Sequence, residues 1–170
     1  MDYTYAQVER SLARMFHLPI GSLRGRVKHF QKLGIVRFNP GRGKKIPYTL
    51  ADAFRWALAL EFAEFGIDPN IIATIMSCLE WKTIDGVILD DEYLVIYPAI
   101  ISNPPTDPNG LPFFWRKDRA ALVEFLGRDV VPDDVEPNTY DRRFGVIHTG
   151  ALLRKLKAAL DDSDDREAPA

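Results

Sequence analysis

LRGRVKHFQKLGIVRFNPGRGKKIPY, residues 23 to 48, joins a basic amphipathic helix to a basic, glycine-rich turn. At about 100° per residue, Leu23, Val27 and Phe30 share one side of that helix, with Leu33 at its edge. Arg24, Gly25, Lys28, His29 and Lys32 project from the other side, and Gly25 leaves a gap where a backbone or a phosphate can come close. Arg26 falls nearer the apolar flank. Gly34 stands where a glycine just past a helix end belongs. Residues 35 to 38 then read as a strand that Asn39, Pro40, Gly41 and Gly43 turn back into residues 46 to 49. That turn carries Arg42, Lys44 and Lys45. It has little apolar surface to bury, so it suits reaching outward to a polyanion better than filling a core.

An isolated basic run is most often a solvated face, so the charge balance along the chain decides how to read this one. Residues 1 to 50 hold ten Lys or Arg against two acids, a charge of +8, and the rest of the chain holds twelve against twenty-two, a charge of −10. A near-neutral total of −2 therefore conceals a basic head on an acidic body. Such asymmetry points to a nucleic-acid surface on the first half.

At 170 residues and 46% hydrophobic, the chain can bury a core as one domain or two small ones. Met1-Asp2-Tyr3 lacks the basic-then-apolar opening of a signal peptide, and no window reaches the roughly 18 apolar residues of a membrane span. A cytoplasmic protein with no membrane partner is the expectation. The single Cys78 rules out an intrachain disulfide and a paired-thiolate metal site; in an apolar helical segment it reads as a buried structural thiol. His17 and His29 are too few and too isolated to suggest a metal.

Thr4 followed by Gln7 reads as a capping box, which predicts a first helix from about residue 5 to 16 with Val8, Leu12 and Met15 as its stripe. The turn at residues 17 to 21 and a second helix over residues 23 to 34 then complete a helix-turn-helix, whose second helix commonly enters the major groove. With the hairpin added, the unit is a winged helix-turn-helix. Thr49 is placed to cap an apolar helix over residues 50 to 65, which must be buried on more than one face. Gly66 ends it, and Asp68 with Pro69 starts a short helix carrying Ile71, Ile72, Ile75, Met76 and Leu79.

In order and spacing, the two helices, LGIVRFNP, the basic wing closing on Tyr48, the Thr-Leu-Ala-Asp helix start and the FGIDP turn resemble the DNA-binding head of the MerR family over residues 3 to 79. The resemblance implies a dimeric regulator that contacts DNA through the second helix and the wing. By position it implies Ser22, Arg24, Lys28 and His29 as recognition-helix contacts, and Arg42, Lys44 and Lys45 as wing contacts. The chain departs from the family in two respects. Its second helix looks one turn longer, and no long coiled coil follows the head, so neither the usual antiparallel dimer nor promoter twisting carries over.

From Trp81 the texture changes to short strands and turns: strands at 86 to 89 and 93 to 101, a proline-rich loop at 102 to 112, and a strand at Phe113, Phe114 and Trp115. Asp118 is placed to cap a helix to about Leu126, and residues 129 to 138 read as a loop. A strand at 143 to 148 follows, then a last helix capped by Thr149 with Leu152, Leu153, Leu156 and Leu160 on one side. The tail, 161 to 170, is acidic and reads as disordered. The whole is an α+β chain: a winged helix-turn-helix head at 1 to 80, an α+β dimerisation or effector domain at 81 to 160, and the tail. Tyr97, Phe113, Phe114 and Trp115 read either as an effector pocket or, more simply, as the core of a small α+β unit. The leucine stripe of the last helix reads either as a homodimer contact or as packing on its own sheet.

No phosphate loop, nucleophile elbow or His-Glu-x-x-His is present, and Asp85, Asp90 and Asp118 make a poor nuclease set, so no enzyme, cofactor or metal is expected. The function these residues imply is a sequence-specific regulator of transcription on double-stranded DNA, acting as a homodimer. The alternative is a phage-type DNA-architectural protein, excisionase-like or similar to a small terminase subunit.

Overall fold

The first helix begins where a threonine can satisfy its free N–H groups. The computed structural model describes residues 2–35, 47–79, 92–96, 114–127 and 145–164, and its first helix, α1, spans Tyr5–Met15. Thr4 Oγ1 accepts from the Gln7 N–H at 3.3 Å while Gln7 Oε1 accepts from the Thr4 N–H at 2.6 Å. This reciprocal capping box satisfies two donors that an α-helix otherwise leaves unpaired. Thr49 and Asp52 repeat it at the start of α3, Leu50–Glu64, at 3.2 and 3.0 Å. In α4, Pro69–Cys78, Asp68 accepts from the Asn70 N–H at 2.8 Å. Between α1 and α3 lies α2, Ile20–Lys32. It begins three residues before the expected Leu23, since Pro19 supplies a fixed φ and takes the cap position without any side-chain bond.

All three of α1, α2 and α3 end alike. In each, the N–H two residues past the cap reaches back five residues (Leu18 to Ala13, Ile35 to Phe30, Ile67 to Phe62), with a left-handed residue between. This double bond pattern, the Schellman motif, normally uses glycine. Gly34 and Gly66 oblige with φ of 74° and 77°, but in α1 the position is His17 at φ 51°. A side chain in this region is strained, so His17→Gly is expected to raise unfolding free energy by about 1 kcal/mol, after allowing for the greater freedom of glycine when unfolded. Urea denaturation showing no gain would refute this.

α3 is the centre of the core. Ala53, Phe54, Trp56, Ala57, Leu58, Ala59, Leu60 and Phe62 are all buried, because α2, α4 and the last helix pack around it. Tyr5, Tyr48 and Trp56 form an aromatic group with ring centroids 5.1 to 6.2 Å apart. Tyr3 and Tyr48 close the N-terminal end by a two-bond bridge, at 2.7 and 2.9 Å.

The second half contributes a three-stranded antiparallel sheet, in the order β2-β1-β3: β1 is Tyr93–Ile96, β2 Phe114–Lys117 and β3 Gly145–His148. Leu94, Ile96 and Ile147 join the helical core. Helix α5, Arg119–Gly127, packs on β2, and Asp118 accepts from the Ala121 N–H at 2.7 Å. The fold is thus mixed α+β and mostly helical.

Helix α6, Thr149–Asp164, brings three corrections. Its leucines face neither a sheet alone nor a partner: Leu152, Leu153, Leu156 and Leu160 are buried with α1 and α3, and the Ser11 hydroxyl donates to the Ala159 carbonyl at 2.8 Å. An apolar stripe of this width finds the nearest matching stripe, which α1 and α3 present. The homodimer thereby loses the surface assigned to it. Thr149 does not cap through its side chain; its hydroxyl and its N–H both donate to the Glu92 carbonyl, tying α6 to the start of β1. The helix also continues through residues 161 to 164 of the acidic tail, where the buried Ser163 hydroxyl donates to the Leu160 carbonyl. The core accordingly runs across the boundary expected near residue 80.

The hairpin at residues 36 to 46, the strands at 86 to 89 and 97 to 101, the loops at 102 to 112 and 129 to 138, residues 165 to 170, Asp85, Asp90, Tyr97, Phe113 and the Cys78 side chain lie outside the described set. Among the described residues no helix is long and apolar enough to cross a membrane.

Candidate nucleic-acid interface

α2 buries Leu23, Val27 and Phe30 and turns its opposite side outward. Ser22, Gly25, Lys28, His29 and Lys32 are all exposed there. A Cβ added at Gly21 or Gly25 would meet nothing within 4 Å, so the N-terminal half of this face carries only two glycines and the small Ser22, and the C-terminal half carries the charge. Lys28 and Lys32 make no ion pair among the described residues.

Arg24 is the exception to the expected face. It lies on the flank toward α1, where Nε and Nη2 donate to the two oxygens of Glu9, each at 2.8 Å. Glu9 is buried, with its side chain 6% exposed against 51% for Arg24. The Arg24 guanidinium holds the Glu9 carboxyl below its usual range despite the burial, and Glu9 in turn raises the arginine. The Tyr5 hydroxyl lies near this pair but at a geometry that makes no hydrogen bond, and burial, reinforced by the charge of Glu9, pushes it up to about 12. Arg26, on the other flank, pairs with Glu64 at 2.9 Å, and Arg14 approaches Asp162 at 3.9 Å. Three of the arginines behind the +8 of the head are therefore matched by acids within the chain, two of them from beyond residue 50.

Arg42, Lys44 and Lys45 lie outside the described residues, yet both ends of the segment that bears them are anchored. Ile35, where the chain departs, is buried, and its carbonyl accepts from Arg55 Nε at 2.9 Å. Tyr48, where it returns, is bridged to Tyr3, and Gln31 Nε2 donates to its hydroxyl at 3.3 Å. Both anchors stand beside the C-terminal half of α2, since Gln31 belongs to that helix. The chain thus leaves the described residues at Ile35 and returns at Tyr48 on the side of α2 that carries Gln31.

Glu9 and Arg55 are the residues that sequence reading missed. Glu9 carries one legible sign, as the only acid in residues 3 to 50. Arg55 carries none, since an arginine within an apolar helix reads as solvated unless its carbonyl partners are known. Among the candidate nuclease acids, Asp118 is occupied as the cap of α5. Compared with known proteins, the chain matches no family model and no curated sequence.

Proposed function

We propose that the chain binds double-stranded DNA as a sequence-specific regulator, with α1, the His17 turn and α2 acting as a helix-turn-helix and residues 36 to 46 as its basic wing. The observation that carries this reading is the outward side of α2, where the open positions Gly21 and Gly25 with the small Ser22 lead into exposed Lys28, His29 and Lys32. A helix enters the major groove only as deeply as its outward side chains allow, and cations beyond these small residues meet the phosphates at the groove edge. The two ends of the proposed wing, Ile35 and Tyr48, are anchored beside the C-terminal half of α2, which supports the same reading.

Phosphate contacts release counterions, so each lysine lost should flatten the dependence of log affinity on log salt by about 0.9. The Lys28→Ala, Lys32→Ala double variant is expected to lower the slope by about 1.8 on any duplex, measured by fluorescence anisotropy with a labelled duplex across a salt series. An unchanged slope would remove α2 from the interface. A genomic footprint separates the regulator, which occupies promoters, from an architectural protein at attachment or packaging ends.

A further inference from the structure

Glu9 and Arg24 form a pair that uses only one edge of the guanidinium. A guanidinium carries five N–H donors. Glu9 takes the side edge, Nε and one Nη2 hydrogen, in a two-bond fork at 2.8 Å each. The end edge, formed by Nη1 and the other Nη2 hydrogen, bonds to nothing among the described residues, and the side chain is half exposed on the flank of α2. The group is thus held by its side edge on a half-exposed side chain, and its second pair of donors is left without a partner among the described residues. Its charge is matched by a buried carboxylate, so it is a weak anchor for a phosphate, whose attraction is mainly Coulombic. What remains is geometry: two donors at fixed spacing, which match the O6 and N7 acceptors of guanine in the major groove.

We propose that Glu9 is a positioning residue that fixes the Arg24 guanidinium so that its free end edge reads a guanine. This rests on the duplex-binding reading above, and deepens it by assigning specificity to Arg24 and anchoring to Lys28 and Lys32.

The test uses the full chain and a randomised duplex pool. Sequences enriched by the unmodified protein define a preferred site, and affinities for that site, for single-base variants of it and for random duplex are measured across salt. Arg24→Lys is expected to reduce discrimination at one G·C pair by about tenfold and to leave the salt slope unchanged. Glu9→Gln should reduce discrimination at the same pair while steepening the slope on random duplex by about 0.9, because the arginine is then unmatched. A purely structural role for Glu9 would weaken all sequences alike. The neutral pair Glu9→Gln, Arg24→Gln leaves no buried charge unpaired; as the backup should Glu9→Gln alone fail to fold, it must lose preference at that pair and no other. If Glu9→Gln keeps the same preferred site with the same discrimination, the positioning role is wrong and DNA binding stands. If Arg24→Lys flattens the slope at unchanged discrimination, the contact is a phosphate and the proposal fails. If the unmodified protein enriches nothing from the pool, the duplex reading itself fails.

Discussion

Ending the chain after residue 148 is expected to abolish cooperative unfolding of the N-terminal helices. The removed helix, α6, buries Leu152, Leu153, Leu156 and Leu160 against α1 and α3, none of them more than 4% exposed. Each fully buried leucine contributes about 1.5–3 kcal/mol, so the four together supply roughly 6–12 kcal/mol, as much as the whole stability of an ordinary domain, about 5–15 kcal/mol. Without this helix Ser11 loses its partner carbonyl at Ala159, and the side of α1 that meets α6 loses its cover. A fragment of residues 1 to 80 should fail for the same reason, so DNA binding must be tested on the full chain. Leu156→Ala gives the graded version, a loss of about 2–5 kcal/mol. Thermal melts followed by circular dichroism decide the matter, and a sharp transition retained by the fragment ending at 148 would show that α6 is an accessory.

Trp56→Ala is expected to destabilise the fold by about 3–5 kcal/mol, because Trp56 is fully buried between α3 and the Tyr5 and Tyr48 rings. Trp56→Phe should cost far less, within about 1 kcal/mol of the unmodified protein. The reason is that the indole Nε1–H is buried with no hydrogen-bond partner among the described residues. An unsatisfied buried donor costs about 1–3 kcal/mol, and phenylalanine removes that penalty along with part of the contact area. Chemical denaturation of both variants separates the two terms. A phenylalanine variant as unstable as the alanine one would mean that the indole N–H is satisfied.

What the sequence shows and what it hides divide by range. Thr4 with Gln7, Thr49 with Asp52, Asp68 with Pro69, and Gly34 and Gly66 all act within one turn of themselves, so their helix ends can be read from neighbouring letters. His17 escapes because a left-handed position without glycine leaves no mark in the sequence. Arg24 is legible as a helix-surface residue but not as a partner of Glu9, since the crossing of α1 and α2 decides which flank meets which. The leucine stripe of α6 is plain in the sequence, while its destination is not: periodicity says that a face is buried and never against what. Among the site residues, the exposed positions of Ser22, Gly25, Lys28, His29 and Lys32 follow directly from the helical wheel, because Leu23, Val27 and Phe30 fix its orientation.

The bond from Ser11 to Ala159 joins residues 148 positions apart. Closing so long a loop is slow, because the chain loses its freedom before the contact repays it. During synthesis at about 5–20 residues per second, α1 leaves the ribosome many seconds before the helix that covers it. For that interval the apolar sides of α1 and α3 are open to other chains and to chaperones. The head is therefore made well before the helix that completes it, and is among the last parts to be finished.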